Sequence, residues 1–453
     1  MTVTIVGAGY VGLVAAACFA EAGTRVCCVE RDPGRLQRLL DGEIPLHEPG
    51  LQSLVARNLA RGSLRFTADM ASAVIGASVV FLAVGTPCGA DGSADTTDLL
   101  AAARQVGAAL TGPAILVTKS TAPVGTHRLI AAVVEAVTDH RVVVVSNPEF
   151  LREGHAVSDF LRPERVVIGC TDPQAVRALR ALYAPFSPRA IHVMDPASAE
   201  LAKYAANAML AARVAMINEL AALCEVQGAD ISSVVEVVGS DSRIGSAFLQ
   251  PSAGYGGSCL PKDVLALALM GRRAGLRLHL AAATHEANEA HRQRWLQRIR
   301  ARLADQHEAG LAGCTVAVWG LAFKDGTDDL RHSSVVALVE DLLAHEVTIR
   351  AHDPLALEVA RAELGDQVSW CTDPLQAIRG ADALVIGTEW PGYAAIQIPV
   401  LADHLRPGAT VFDGRNLLCP DQFADTGLGY LSIGRPDRLP ASAERERVCP
   451  ACS

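Results

Sequence analysis

Hydrophobic and polar positions in the first half of the chain alternate in the rhythm of a parallel α/β fold. Short runs rich in valine and isoleucine are separated by longer stretches rich in alanine and leucine, and this alternation is typical of βαβ units. The predicted strands of this half are Val3 to Val6, Arg25 to Glu30, Val79 to Val84, Ala114 to Lys119 and Arg141 to Ser146.

The strand pattern stops near Pro196 and returns near Thr315. Between these points alanine, leucine, glutamate and arginine recur at helical spacing, which predicts a mostly helical middle. A second series of strands is predicted at Thr315 to Trp319, Val347 to His352, Ala383 to Gly387 and Thr410 to Asp413. The pattern therefore predicts the α/β class, with two doubly wound parallel-sheet domains joined by helices.

Composition and charge narrow the classes of function. The chain has 453 residues, 50% of them hydrophobic, and is too long for one ordinary domain. Lys and Arg number 40 against 49 Asp and Glu, so the net charge of −9 favours neither nucleic acid nor a membrane as a partner. No apolar run reaches the roughly 18 to 20 residues of a membrane span, and Met1 to Ala17 has no basic leader. We therefore expect a soluble, cytoplasmic protein.

The twelve cysteines are spread along the chain, so we interpret most of them as small buried hydrophobes rather than as disulfide partners. The one CxxC pair, Cys449 and Cys452, lies at the C-terminus, and a zinc site needs about four ligands. We predict no metal site, and we expect residues 436–453 to form a flexible tail.

A glycine turn between a strand and a helix indicates a dinucleotide site. Gly7, Gly9 and Gly12 follow the first predicted strand and precede a helix-compatible run. They allow a tight turn, a close approach of the backbone to a pyrophosphate, and close packing of a helix whose N-terminus donates N–H groups. The next strand ends at Glu30, where an acid binds a ribose 2′-OH and repels a 2′-phosphate. The predicted cofactor is NAD, although Arg31 leaves NADP open and the motif alone also suits a structural turn.

Two later strand ends carry further polar residues. Gly85-Thr86-Pro87 follows one strand and Ser120-Thr121 follows another, and parallel sheets bind ligands at their carboxyl edge. Each cluster also suits an ordinary turn.

One cysteine is placed to react. Cys259 ends a glycine-rich loop and precedes Pro261, Lys262, Asp263 and an apolar, helix-compatible run. A thiol within about a turn of a helix N-terminus and near a lysine tends toward the thiolate. By spacing alone, a buried and inert cysteine is an equal interpretation.

Polar residues at helical spacing form a further candidate. Glu200, Lys203 and Asn207 share one face of a predicted helix, for which a solvated surface stripe is the ordinary interpretation. Glu149 and Glu153 follow a predicted strand four residues apart, and such loop acids are usually only solvated.

Together these stretches resemble the UDP-glucose/GDP-mannose dehydrogenase family, from Gly7 to about Arg435. The blocks that carry the resemblance are Gly256 to Asp263, Asn147 to Gly154, Lys119 to Thr126, and Phe323-Lys324 with Asp328 to Arg331. Members of this family oxidise the C6 alcohol of a nucleotide sugar to a carboxylate with two NAD. The resemblance implies two Rossmann-like domains, one for NAD at 1–195 and one for the nucleotide sugar at 305–435, joined by a central helical dimerisation region at 196–304. The sugar nucleotide is expected between these domains.

The resemblance also implies roles for single residues. Cys259 resembles the nucleophile that forms a thiohemiacetal and then a thioester, Lys203 the lysine that stabilises oxyanions, and Asn207 its sugar-binding neighbour. Asp263 resembles the acid that is paired with this lysine or with water, and Thr121 and Glu149 resemble the residues placed around the catalytic water.

Binding residues are carried over in the same way. The predicted cofactor contacts are Gly7, Gly9, Tyr10, Val11, Gly12, Glu30, Arg35, Thr86, Ser120, Thr121, Glu153, Lys262 and Arg331. The predicted substrate contacts are Glu149, Phe150, Leu151, Lys203, Asn207, Arg243, Tyr255, Gly256, Phe323, Lys324 and Arg415. Arg243 resembles an arginine that is contributed to the sugar site of the partner subunit, which implies a homodimer or a higher homo-oligomer. A surface position is the alternative for Arg243, Arg331 and Arg415.

Two features bear on the substrate. Ser258 stands where family members acting on N-acetylated sugars have histidine, which favours an unacetylated hexose. The segment from Gly320 to Lys324 lacks the GxGxxG pattern, which favours a ligand other than NAD there. The motifs resemble the UDP-glucose branch more than the GDP-mannose branch, and dTDP-glucose stays open. A two-electron β-hydroxyacid dehydrogenase and a non-catalytic sensor of NAD and nucleotide sugars are the other hypotheses.

Overall fold

The computed structural model describes residues 2–89, 91–307 and 310–440. The backbone packs as two compact units. Unit 1 comprises Met1–Asn207 and Leu265–Arg277, and unit 2 comprises Ala208–Val264 and the chain from Leu278 onward. The predicted helical region at 196–304 is therefore divided between the two units.

Unit 1 is built on strands and helices that alternate along the chain. Its strands are β1 (Thr2–Val6), β2 (Arg25–Val29), β3 (Leu64–Thr67), β4 (Val79–Leu82), β5 (Ala114–Thr118), β6 (Val142–Ser146), β7 (Arg165–Gly169) and β8 (Ala190–Met194). Its helices are α1 (Tyr10–Glu21), α2 (Pro33–Leu40), α3 (Leu51–Ala60), α4 (Met70–Val74), α5 (Thr97–Ala109), α6 (Thr126–Glu135), α7 (Ala156–Leu161) and α8 (Pro173–Tyr183), with a 3₁₀ turn at Ala184–Phe186.

Helices alone form the middle of the chain, as the sequence pattern predicts. They are α9 (Pro196–Gln227), α10 (Ile231–Ser240), α11 (Leu260–Arg273) and α12 (His279–Gln306). The chain passes from unit 1 to unit 2 within α9 and returns within α11. Among the residues that the structure describes, no helix combines the length and the apolar character that a membrane span requires.

Unit 2 contains the second α/β series. Its strands are β9 (Thr315–Trp319), β10 (Thr348–His352), β11 (Val368–Trp370), β12 (Ala383–Ile386), β13 (Thr410–Asp413) and β14 (Gly429–Ser432). Its helices are α13 (Ser334–Ala344), α14 (Leu357–Leu364), α15 (Pro374–Ile378), α16 (Pro391–Ala394) and α17 (Ile398–His404), with 3₁₀ turns at Gly365–Gln367 and Pro420–Phe423.

The sheet of unit 1 has eight strands in the order β3-β2-β1-β4-β5-β6-β7-β8. The strands from β3 to β6 are parallel, and their order reverses between β1 and β4, where such sheets bind ligands. The sheet is not parallel throughout, because β7 pairs antiparallel with β6 through Ser146 and Gly169. The connection through α7 returns to the same edge of the sheet instead of crossing its face.

The sheet of unit 2 has six parallel strands in the order β11-β10-β9-β12-β13-β14. Its order reverses between β9 and β12 in the same manner. The predicted architecture of two doubly wound sheets with a helical middle is confirmed. Beyond β14, Arg438 exchanges two backbone hydrogen bonds with Tyr430, at 2.7 and 2.9 Å. The rest of the predicted tail, 441–453 with Cys449 and Cys452, lies outside the described residues.

The core of unit 1 holds α1 firmly against its sheet. The helix is buried from Gly12 to Ala20, and its small alanine side chains allow a close approach. Phe19 lies at the centre of an aromatic cluster in which four other rings have centroids 5.0 to 5.8 Å away: Phe81, Phe160, Tyr183 and Phe186. This packing fixes the position of the glycine turn that precedes α1.

Candidate active site

The glycine turn after β1 forms a cradle at the start of α1. Gly7 has a φ of +101°, and a Cβ there would lie 2.8 Å from the carbonyl oxygen of Ala83. A Cβ on Gly12 would lie 1.9 Å from the carbonyl oxygen of Gly7, whereas a Cβ on Gly9 would meet nothing within 4 Å. The packing of the protein itself therefore requires Gly7 and Gly12. The space beside Gly9 lies at the N-terminus of α1, where a pyrophosphate would be bound.

Glu30 follows β2 at the same edge of the sheet. Its buried carboxylate accepts a hydrogen bond from Ala8 N at 3.3 Å, and Arg35 Nη1 lies 3.8 Å from it. The guanidinium of Arg31 is bound by both carboxylate oxygens of Asp98, at 2.9 and 2.6 Å. The open cradle, its amide donors and an acid at the ribose position fit NAD.

Tyr10, a predicted cofactor contact, begins α1 and binds the loop after β6. Its hydroxyl donates to Glu48, and Gly154 N donates both to Tyr10 Oη at 3.0 Å and to Glu48 Oε2 at 2.8 Å. Burial, reinforced by Glu48, raises the pKa of Tyr10. These hydrogen bonds join the start of α1 to the loop that carries Glu153. Glu48 was not among the predicted site residues, because nothing in the sequence pattern indicates its role. Val11 lies partly buried in the first turn of α1.

The segments after β4 and β5 are joined by their side chains. The Thr86 hydroxyl donates to the carbonyl oxygen of Thr121 at 2.7 Å. The Ser120 hydroxyl donates to the carbonyl oxygen of Val84 at 2.6 Å. The structure therefore brings together three of the predicted residues, Thr86, Ser120 and Thr121, at the carboxyl edge of the sheet.

Glu149 and Lys203 form a buried ion pair. Lys203 Nζ lies 2.9 Å from Glu149 Oε1, and their side chains are 4% and 7% exposed. Burial by itself raises the pKa of Glu149, but the charge and hydrogen bond of Lys203 outweigh it and hold that pKa below its ordinary value. Leu151 N donates to Glu149 Oε2 at 2.6 Å. The ring of Phe150 lies 5.3 Å from Lys203 Nζ and 4.2 Å from the guanidinium of Arg165.

The polar face of α9 points inward. Glu200, Lys203 and Asn207 are all buried, so the solvated stripe that such spacing ordinarily indicates is wrong here. A second buried lysine, Lys119, was not among the predicted site residues. Burial lowers the pKa of Lys119 to about 8, against the attraction of Glu149 and with repulsion from Lys203.

Cys259 in unit 2 occupies the N-cap position of α11. Its carbonyl oxygen accepts the first helical hydrogen bond from Asp263 N at 2.9 Å, and its Sγ lies 3.4 Å from Ser258 Oγ. The side chain is partly exposed, whereas seven of the ten described cysteines are buried, and burial raises the pKa of those seven. A helix N-terminus favours the thiolate. Lys262, a predicted cofactor contact, pairs with the buried Asp263 at 2.5 Å.

Two glycines allow the loop before Cys259 to pack closely against other segments of unit 2. A Cβ on Gly257 would lie 2.8 Å from the ring of Phe323, and one on Gly256 would lie 2.4 Å from the carbonyl oxygen of His332. Gly257 N also donates to the carbonyl oxygen of Arg331 at 2.9 Å. Only glycine allows the loop this close to Phe323 and the 331–332 backbone.

Arg415 joins three segments at the carboxyl edge of the second sheet. Its Nε donates to the carbonyl oxygen of Gly387 at 2.9 Å and lies 3.0 Å from Glu389, and its Nη2 donates to the carbonyl oxygen of Phe323. Phe323, Lys324 and Arg415 are thus neighbours in chain or in space, as a common ligand site requires.

The turn after β9 differs from the glycine cradle of unit 1. The carboxylate of Asp353 accepts from Leu321 N at 2.7 Å and from Ala322 N at 3.3 Å. These amides are occupied by an acid of the protein itself. This turn therefore differs in its amide donors from the NAD cradle, and the expected ligand other than NAD stays a prediction here.

Three residues predicted to contact ligands or a partner subunit have hydrogen-bond or ionic partners within the chain itself. The Tyr255 ring is buried, and its hydroxyl donates to the carbonyl oxygen of Thr284 at 3.4 Å. The exposed guanidinium groups of Arg331 and Arg243 pair with Asp329 at 2.7 Å and with Asp241 at 2.6 Å. Their roles toward ligands and a partner subunit remain predictions. Within the described residues no cluster of three His, Cys, Asp or Glu side chains is arranged to hold a metal.

Three models of one family match consecutive parts of the chain. The NAD binding domain of the UDP-glucose/GDP-mannose dehydrogenase family matches residues 1–187, its central domain matches 197–290, and its UDP binding domain matches 317–420. The chain belongs to the UDP-glucose/GDP-mannose dehydrogenase family. It is an NAD-dependent oxidoreductase, and the predicted family and cofactor are confirmed.

Relatives and solved structures of this family cover nearly the whole chain. The chain is 45% identical to the UDP-glucose 6-dehydrogenase of Pseudomonas aeruginosa, over 96% of this chain and 98% of that one. It is 40% identical to a UDP-glucose 6-dehydrogenase of Bacillus subtilis, over 96% and 93%. The solved UDP-glucose dehydrogenase of the hyperthermophilic archaeon Pyrobaculum islandicum superposes with a TM-score of 0.86 at 39% identity, over 92% and 94% of the two chains.

Proposed function

We propose that this enzyme oxidises the C6 alcohol of UDP-glucose to the uronate in a four-electron reaction that uses two NAD. The observation that supports this most is the partly exposed Cys259 at the N-cap of α11, because a thiolate allows an aldehyde to be carried on to a carboxylate. The relatives in Pseudomonas aeruginosa and Bacillus subtilis bear the name UDP-glucose 6-dehydrogenase. Ser258 before the cysteine suits an unacetylated sugar.

Cys259 is the nucleophile of the proposal. Its thiolate adds to the C6 aldehyde, so that a C–S bond forms and the carbonyl oxygen becomes the oxyanion of a thiohemiacetal. Loss of the C6 hydride from this adduct yields a thioester, and water then breaks the C–S bond to release the uronate and the thiol. NAD, when bound, supplies the hydride acceptor for each oxidation.

Buried groups of unit 1 stabilise the charges that develop in these reaction steps. Lys203 carries the fixed positive charge that an oxyanion needs, and its ion pair with Glu149 at 2.9 Å orients the ammonium. Thr121 and Glu149 orient the hydrolytic water, and Asn207 binds the sugar. In unit 2, the buried Asp263 beside Lys262 is the further acid of the proposal.

The nucleotide part of the substrate binds at the carboxyl edge of the second sheet in this proposal. The family's UDP binding domain covers residues 317–420, and this edge carries Phe323, Lys324 and Arg415. Arg331 and Glu153 serve the cofactor. These assignments rest on the family motif and on the neighbourhood of the side chains.

We also assign a homodimer and a cytoplasmic location. Met209, Met216 and Leu223 lie seven residues apart on α9 with exposures of 67%, 58% and 54%, so they form an apolar stripe on one face. A second copy of the chain would cover this stripe and receive Arg243 at its sugar site. The scattered, mostly buried cysteines agree with a reducing compartment.

Release of NADH tests the substrate. The purified enzyme is assayed with UDP-glucose, dTDP-glucose, GDP-mannose and UDP-N-acetylmannosamine, and we expect UDP-glucose to give the highest kcat/KM with two NADH per sugar. A ratio of one with free aldehyde would exclude the four-electron route. Preference for dTDP-glucose or GDP-mannose would correct the nucleotide, and inactivity on all four would favour the sensor.

Substitution of Cys259 tests the mechanism. Cys259→Ala should abolish uronate formation while binding of NAD and nucleotide sugar persists, and Cys259→Ser should leave a slow or stalled reaction because a hydroxyl without a base stays protonated. Cys88→Ala and Cys419→Ala are matched controls, since both thiols are exposed. Iodoacetamide should inactivate both controls as it does the wild type, and substrate should slow that inactivation. Near-normal uronate production by Cys259→Ala would overturn the mechanism.

A further inference from the structure

Glu200 is a buried carboxylate to which the proposed mechanism gives no role. Both of its oxygens are engaged by groups outside its own helix. Oε2 accepts from Gly125 N at 2.7 Å and lies 2.9 Å from His127 Nδ1. Oε1 accepts from His127 N at 2.8 Å and from Ser146 Oγ at 3.3 Å. One side chain of α9 thus binds the start of α6 and the end of β6.

The start of α6 depends on this side chain. Its N-cap residue, Gly125, has a φ of +97° and offers no side chain to cap the helix. The free N–H groups of the first turn need acceptors, and a carboxylate there also interacts favourably with the helix dipole. Glu200 meets both needs from another helix, across 75 positions of sequence.

The same contacts join two parts of the proposed catalytic machinery. Thr121 lies four residues before Gly125 in the segment that leads into α6, and Lys203 lies one turn after Glu200 on α9. Thr121, Glu200 and Lys203 line one cavity. Lys203 pairs with Glu149, whereas Glu200 accepts from the backbone N–H groups of Gly125 and His127. Glu200 can therefore act on this site through the backbone that it holds.

We propose that Glu200 is a positioning residue that fixes the Thr121 segment against the turn of α9 that carries Lys203. This inference rests on the proposed function, because it assigns Thr121 and Lys203 to the chemistry. A water and an oxyanion must be held at set positions, and a displacement of about 1 Å can lower a rate by about a hundredfold. Glu200 therefore influences kcat without touching the substrate.

Glu200→Gln tests the proposal, because it keeps the size of the side chain but leaves one oxygen for four donors. Asp172→Asn is the matched control. Asp172 caps α8 through Gln174 N at 2.8 Å and Ala175 N at 2.9 Å and pairs with Arg141. Both variants lose a capping carboxylate in unit 1, but Asp172 lies outside the proposed machinery.

Two readouts separate positioning from stability. We expect Glu200→Gln to lower kcat on UDP-glucose at least tenfold with KM for NAD changed less than twofold, well below its melting temperature, and Asp172→Asn to keep wild-type kcat. Hydrogen exchange of the substrate-free protein should be faster across residues 121–127 in Glu200→Gln and unchanged there in Asp172→Asn. Unchanged kcat despite faster exchange, or lost kcat with unchanged exchange, would overturn the proposal.

The failure of the proposed function has a different signature. It would appear in the wild-type enzyme, as inactivity on all nucleotide sugars. Hydrogen exchange needs no substrate and still tests whether Glu200 fixes the segment. Wild-type exchange rates across 121–127 in Glu200→Gln would then refute the positioning role by themselves.

Discussion

Alanine at Gly9 and alanine at Gly12 should have opposite consequences, because the two glycines serve different needs. Gly9 has φ −74° and ψ −171°, which alanine adopts without strain, and its added Cβ meets nothing within 4 Å. The added Cβ of Gly12 would lie 1.9 Å from the carbonyl oxygen of Gly7. The methyl group of Gly9→Ala would occupy space expected for the NAD pyrophosphate, whereas the methyl group of Gly12→Ala would force α1 away from the glycine turn.

The expected magnitudes differ accordingly. Gly9 is the N-cap of α1, where alanine in place of glycine costs about 1 kcal/mol or less. Gly12→Ala overpacks a buried contact between backbone atoms, and we expect it to lower the free energy of unfolding by about 3 kcal/mol or more. A methyl group between the backbone and a pyrophosphate should weaken NAD binding by at least about 1.4 kcal/mol, which is tenfold in Kd.

Thermal unfolding and calorimetric titration with NAD measure the two effects. Gly9→Ala should melt close to the wild type and bind NAD at least tenfold more weakly, whereas Gly12→Ala should melt far lower. Gly112→Ala is the control, since its Cβ also meets nothing within 4 Å and it lies before β5, at the amino edge of the sheet. Wild-type NAD affinity in Gly9→Ala, or a loss of stability as large as that of Gly12→Ala, would refute this reasoning.

Three other substitutions test the core, a buried charge and the proposed dimer. Phe19→Ala removes the centre of an aromatic cluster with ring distances of 5.0 to 5.8 Å and should cost about 3 to 5 kcal/mol in urea unfolding. Burial lowers the pKa of Lys119 from 10.5 to about 8, so the folded protein releases a proton between these pH values that the unfolded chain keeps. The contribution of Lys119 to the free energy of unfolding should therefore rise with pH there by up to about 3 kcal/mol. The buried thiols titrate in the same range and act in the opposite direction, so the rise is measured as the difference in free energy of unfolding between the wild type and Lys119→Met. Mixed Arg243→Ala and Cys259→Ala subunits should regain some activity, and no recovery despite proven subunit exchange would count against the shared site.

The sequence pattern predicts every inner strand of the two sheets except β7, and it misses the outer strands. β9 and β13 have the predicted bounds, and β1, β5 and β6 differ by one residue at one end. The missed strands include all four sheet edges, namely β3, β8, β11 and β14. Inner strands are covered on both faces and read as continuous apolar runs. β8 has no buried residue and β11 spans three residues, so neither produces such a run.

The site is predictable where its chemistry is local. The glycine turn, Glu30 and the cysteine before α11 follow from short segments whose order along the chain carries the signal. The orientation of a helix face is different, because spacing shows that Glu200, Lys203 and Asn207 share a face but not whether that face is buried. α9 is rich in alanine around its whole circumference, so its composition does not distinguish its two sides.

Three buried acids that sequence reasoning left without a role share one physical property. Glu48, Glu200 and Asp353 are buried acids that accept hydrogen bonds from backbone N–H groups far along the chain: Gly154 across 106 positions, Gly125 across 75 and Leu321 across 32. A helix that starts after glycine without a side-chain cap requires an acceptor from elsewhere. α1 and α6 both start in this way. The sequence shows that both helices need an acceptor for the N–H groups of their first turn. Only the fold shows that Glu200 supplies this acceptor at α6. The start of α1 can instead bind the anionic pyrophosphate of a cofactor.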